Sequence, residues 1–161
     1  MKKIIVTSII ILMFCFSVYS ENENCPLCPY DNGMPEEDKK VVDEAKKKDP
    51  GGKLIFLGYN IERQGNVTLV YLGFYNNTNK IITSFVFESN FTDSYNNPSY
   101  FIFSGKGYKQ YFINSVSETV APKTNIIMEY RIFVDIRNGF KLKNCKVKSI
   151  RFEDGTVWNK K

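Results

Sequence analysis

Histidine is absent from the 161-residue chain. Without an imidazole there is no Ser-His-Asp triad and no pair of histidines to face a metal ion, so the commonest hydrolytic and metal-dependent sites are excluded. Glycine-rich phosphate loops are missing too: Gly105-Lys-Gly107 is too short and opens no helix. No internal repeat stands out. The charge excess is mild. Once Lys2 and Lys3 are set aside with a leader, 20 basic residues face 17 acidic ones, too even a balance for a nucleic-acid partner. Acidic neighbours such as Glu153-Asp154 sit at turns, and only folding could bring a carboxylate pair together for hydrolysis. The chain is therefore expected to be no enzyme and to carry no cofactor and no metal.

Aromatic residues are abundant, with 13 Phe and 10 Tyr, enough for a substantial single-domain core. Residues 1–20 read as a signal peptide. Lys2 and Lys3 form a positive start, Ile4 to Phe16 is almost unbroken apolar sequence, and Val18 and Ser20 occupy the −3 and −1 positions of a cleavage site before Glu21-Asn-Glu-Asn24. Two other readings remain: a retained anchor, for which the apolar run is short, and lipidation at Cys15, where bulky Phe14 is unfavourable. Contact with a membrane would be through the leader or such a lipid anchor. The expected location is exported: periplasmic, cell-surface or secreted.

Export would leave Cys25, Cys28 and Cys145 in a compartment that permits disulfides. The Cys25-x-x-Cys28 spacing suits a structural disulfide. It also suits a thiol–disulfide redox pair, although Pro29 and Gly33 intervene before any helix that could lower a thiol pKa. A zinc site from all three cysteines would need a carboxylate or water as fourth ligand. Cys145 lies at the inward phase of a strand. It reads as a small buried hydrophobe, or as the far end of a staple from Cys25 or Cys28.

Residues 21–52 form a cysteine-bearing extension. Within it Pro35 to Lys48 is the one helical stretch, acidic at its start and lysine-rich at its end, and Asp49-Pro-Gly-Gly52 stops it. Its only apolar residues are Val41, Val42 and Ala45, so a solvated linker helix is expected. Residues 53–161 alternate with period two. Val67 to Phe91 reads as a β-hairpin turning at Asn76-Asn-Thr-Asn79, with Ile81, Phe85, Phe87 and Phe91 on one face of its second arm. Lys53 to Arg63, Tyr111 to Val116 and Asn125 to Ile136 are further strands, and Tyr100 to Phe103 is a short candidate. In Asn125 to Ile136, Ile126, Met128, Tyr130 and Ile132 alternate with Glu129 and Arg131. Cys145 to Phe152 needs a bulge near Ser149 to keep its apolar residues inward, and Asp154-Gly155 is a two-residue hairpin turn leading to Val157 and Trp158. About seven strands with short connections predict an all-β, immunoglobulin-like antiparallel β-sandwich.

The stretch Asn76-Asn-Thr-Asn-Lys-Ile-Ile-Thr-Ser-Phe-Val-Phe87, followed by Phe91-Thr-Asp93 and Val120-Ala-Pro-Lys-Thr124, resembles the FxLYD-type immunoglobulin-like domains of exported bacterial proteins. Thr92 stands where that pattern has Tyr, and Lys123 where it has Gly. The resemblance implies a small exported sandwich and no catalytic residues.

The segment Asp93 to Tyr111 carries Tyr95, Tyr100, Lys106, Tyr108 and Tyr111 with Asn96 and Asn97. Tyrosine mixed with Asn, Ser and Gly is the composition of binding loops, and also of plain connections whose rings cover a sheet edge. The expected function is a non-catalytic binding or structural module, with a protein or glycan of the cell envelope as partner. The alternative is a redox protein using Cys25 and Cys28. The triplets at Asn66, Asn76 and Asn90 match a glycosylation acceptor, as chance allows in so Asn-rich a chain.

Overall fold

A computed structural model describes residues 36–160 apart from 66, 100, 104–107, 110 and 135–138. The leader, Cys25 and Cys28 lie outside the described residues. Among the described residues one helix, α1 (Glu36–Lys48), precedes nine strands: β1 (Leu54–Gln64), β2 (Val67–Asn76), β3 (Ile82–Thr92), β4 (Phe101–Phe103), β5 (Tyr108–Lys109), β6 (Tyr111–Val116), β7 (Asn125–Val134), β8 (Lys141–Phe152) and β9 (Val157–Asn159). They form two antiparallel sheets, ordered β1-β2-β7-β4-β5 and β6-β3-β8-β9. The seven expected strands are present. The short pair β4 and β5 adds to the far side of β7.

The pairings of β2 with β7 and β3 with β8 make the sandwich immunoglobulin-like, because consecutive strands β2 and β3 belong to opposite sheets. The expected hairpin from Val67 to Phe91 is therefore not formed. A strand has two hydrogen-bonding edges. Those of β2 are taken by β1 and β7, and those of β3 by β6 and β8. The hairpin lies one strand earlier: β1 and β2 pair up to Gln64 opposite Val67.

Asn76 explains the crossover. It is fully buried, and its Nδ2 lies 2.9–3.0 Å from the carbonyl oxygens of Lys80, Val120 and Ala121. Its Oδ1 accepts from the Thr78 amide and hydroxyl. Its backbone N–H donates to Thr124, and its carbonyl accepts from Lys123. One amide side chain thus satisfies the backbone of two connections at once, and with its Nδ2 so engaged Asn76 is closed to glycosylation in the folded chain.

Between the sheets lie Phe74, Phe85, Phe87, Phe91, Leu72, Ile132 and Ile150, all essentially without exposure. Phe74 of one sheet meets Phe85 and Phe87 of the other at ring separations of 5.2 Å, tilted or edge-on. Each buried Phe contributes roughly 1.5–3 kcal/mol by transfer from water. The alternation in β7 holds: Tyr130 and Ile132 are buried, while Glu129 and Arg131 are exposed. In β3 the inward residue at the start is Ile82, not Ile81, because the register slips between Ile82 and Ser84. In β8 the slip falls between Val147 and Ser149, beside the expected bulge, and both Val147 and Ile150 point inward.

The β8–β9 connection differs from the expected two-residue turn. Phe152 N–H donates to the Thr156 carbonyl and Gly155 N–H to the Phe152 carbonyl, leaving a three-residue loop in which Gly155 takes a left-handed φ of 79°. Asp154 caps it, accepting from the Thr156 amide and hydroxyl and from Lys80 Nζ at 2.5 Å. These bonds, Lys80 foremost, hold its carboxyl well below the usual carboxylate range. Helix α1 is not wholly solvated. Val42 and Ala45 are buried as the helix packs on β1, Lys46 Nζ stands 5.3 Å above the Tyr75 ring, and Asp49 pairs with Lys160 at 2.8 Å.

Replacing Asn76 by Ala takes one donor from each of three carbonyls, which keep Thr78, Ile82 and Thr124 as second partners, and takes the acceptor from the Thr78 amide. It should cost about 2 kcal/mol in denaturant unfolding, and Asn76→Asp, which sets a charged oxygen against those carbonyls, should cost more. Asp154 has a folded pKa below its unfolded one, so its contribution is present above about pH 4 and fades as pH falls below that. Melting temperatures measured between neutral pH and pH 2 should fall less steeply for Asp154→Asn than for the wild type.

Candidate functional site

Just past β3 the chain folds back on itself: Thr92 bridges to Pro98, and Ser99 N–H donates to the Phe91 carbonyl. Asp93 holds the turn from inside. Its Oδ1 accepts from the amides of Tyr95 and Asn97 at 2.9 and 2.8 Å, and its Oδ2 from Asn97 Nδ2 at 3.2 Å. Backbone bonds between Asp93 and Asn97 and between Asn96 and Asp93 close it further, with Asn96 in the left-handed region that Asn tolerates. Below it lies Gly139, also left-handed, where an added Cβ would run into the Ser94 hydroxyl. Turn chemistry thus orders the segment and leaves Tyr95 at its apex, 76% exposed.

Of the five sequence-predicted residues, Tyr95 is the one whose side chain is placed. Tyr100 and Lys106 lie outside the described residues. The backbone of Tyr108 belongs to β5 and that of Tyr111 to β6, in different sheets. Within the segment from Asp93 to Tyr111 the described residues accordingly form a tight turn and the short strands β4 and β5, and Tyr111 opens β6 in the other sheet.

A second group of polar side chains lies inside the sandwich. Asn114 Nδ2 donates to the Tyr130 hydroxyl at 2.8 Å, joining β6 to β7 across the two sheets. Burial pushes the Tyr130 phenol up to about 12. Cys145 is half-buried with a free thiol, as the inward phase of its strand implied, and burial pushes that thiol up to about 12. Opposite it, Ser89 is fully buried, and its hydroxyl, next to the thiol, opposes that rise in part. A protonated thiol is a poor nucleophile, so Cys145 is suited to packing, not to exchange chemistry.

The third feature escaped the sequence reading. From Lys141 to Arg151 the chain carries five basic residues and no acidic one. Lys143, Lys146, Lys148 and Arg151 are exposed along β8. Glu88 accepts from Lys148 at 3.0 Å, and this bond first, then Asn90, draws its carboxyl below the usual range. Charge averaged over the whole chain hides this run; counted along one strand it is plain.

Comparison with known proteins adds little about activity. A model of the haemolysin-type calcium binding protein related domain matches residues 134–161, which hold β8 and β9. It is not the FxLYD-type family that roughly residues 53–135 resemble. No curated protein matches. A hypothetical protein of Peptoclostridium difficile 630 has a similar structure: TM-score 0.52 and 12% identity, over 68% of this chain and 87% of that one. That likeness concerns the fold alone. Nor do the described residues of the matched stretch fit a calcium ion. Its described carboxylates are Glu153 and Asp154, and Asp154 is already held by Lys80 and Thr156. Among the described residues no group of three or more His, Cys, Asp or Glu is placed to hold a metal.

Alkylation of Cys145 at pH 8 should be slow in the native protein and should accelerate by orders of magnitude in denaturant. Mass spectrometry of labelled peptides would read this, with fast native labelling contradicting the packing role.

Proposed function

We propose that the chain is an exported, non-catalytic binding or structural module of the cell envelope, which engages a protein or glycan through the turn from Asp93 to Asn97. The observation that carries this reading is the Asp93 carboxylate, which preorganises the turn with three hydrogen bonds while Tyr95 stands in solvent. Preorganisation lowers the entropy lost on binding, and an exposed Tyr offers a rigid apolar ring with a polar tip. The pattern of residues 1–20 supports export. The likeness to FxLYD-type domains belongs to the same reading.

The test is capture of envelope proteins and a glycan array with the chain from residue 21 onward. Tyr95→Ala should reduce retention about tenfold or more without changing the melting temperature. Asp93→Ala should weaken it as well, by releasing the turn. Equal retention by the wild type and Tyr95→Ala would remove the turn from consideration. Export is tested by fusing residues 1–20 to a periplasmic reporter and replacing Ser20 with a bulky residue.

A further inference from the structure

Strand β9 reaches only part of the way along β8. Its pairing covers Ser149 to Arg151, and a last bond runs from Lys160 N–H to the Lys148 carbonyl. From Lys141 to Val147 the side of β8 away from β3 pairs with no strand among the described residues, and the neighbour that comes close to β8 from the other sheet, β1, makes no ladder with it. An open strand edge is a row of backbone donors and acceptors awaiting a further strand.

We propose that the edge of β8 between Lys141 and Val147 receives an extended, acidic peptide segment of a partner protein as an added strand. Main-chain bonds would supply the pairing, and the lysines would select the sequence. Lys143 and Lys146 make no ion pair within the described residues, and Glu88, the carboxylate across from Lys146, is bonded to Lys148. Positive charge along the edge therefore exceeds the one carboxylate beside it, which Lys146 shares with Lys148. Lysines on an edge also bar association between copies, because a second β8 would set lysine against lysine. An acidic strand relieves what a second copy would aggravate. A disordered polyanion would meet the charge but leave the backbone unpaired.

This proposal rests on the reading of the chain as a binding module, but at a surface Tyr95 does not form. The probe is a synthetic peptide alternating Glu with Val, added to the chain from residue 21 onward. Hydrogen exchange should slow at β8 amides on binding. The double variant Lys143→Glu, Lys146→Glu should bind about tenfold more weakly or worse, with its melting temperature unchanged. The same peptide N-methylated at alternate amides should lose binding, and Tyr95→Ala should bind like the wild type. The proposal is overturned if the acidic peptide does not bind, if N-methylation has no effect, if polyglutamate binds equally, or if protection appears away from β8. Loss of peptide binding in Tyr95→Ala would equally refute it, while failure of the Tyr95 turn to capture an envelope ligand would leave the edge standing.

Discussion

Everything in this sandwich depends on how the chain leaves one sheet for the other, and a single buried amide governs that passage. Asn76 ends β2 inside the protein, where each unpaired backbone group would cost free energy, and it supplies partners to both the Lys80 and the Val120–Ala121 segments. Its backbone continues the register of β2 toward Thr124. Ile82 then pairs with Val120, so β3 starts in the other sheet with its edge already engaged. An apolar residue could fill the volume but could not tie those two segments together or accept from the Thr78 amide.

The aromatic interior follows from that passage. Because β2 and β3 face each other across the core and do not lie side by side, Phe74 can meet Phe85 and Phe87 ring to ring. Phe87 in turn reaches Tyr130, whose hydroxyl accepts from Asn114. Apolar packing and one polar bridge thus bind the same pair of sheets. The thin stripe of α1 covers β1 from outside, and the Asp49–Lys160 and Lys80–Asp154 pairs tie the helix end and the last hairpin to the rest. Exposed pairs of this kind add little individually and chiefly set orientation.

The two surfaces proposed for recognition differ in kind. The Asp93 turn is a fixed knob, shaped by its own side-chain bonds. The β8 edge is unfinished backbone flanked by lysines, and a partner would complete it. They draw on separate physics, ring burial on one side and strand pairing with charge on the other, so neither needs the other to operate.

The sequence by itself determined what local chemistry decides. Period-two alternation in β7 settled which residues face inward; acidic and basic ends with a Pro-Gly-Gly stop marked the helix; the phase slip between Val147 and Ile150 announced a bulge. Tertiary structure decided whom each strand pairs with. Asn76-Asn-Thr-Asn79 has the composition of a hairpin turn, but whether flanking strands pair depends on competition for their edges from β1, β7, β6 and β8, which are distant in sequence. For the same reason the open flank of β8 could not be read from its residues: lysines can be counted in the chain, but a missing neighbour exists only once β9 has stopped short.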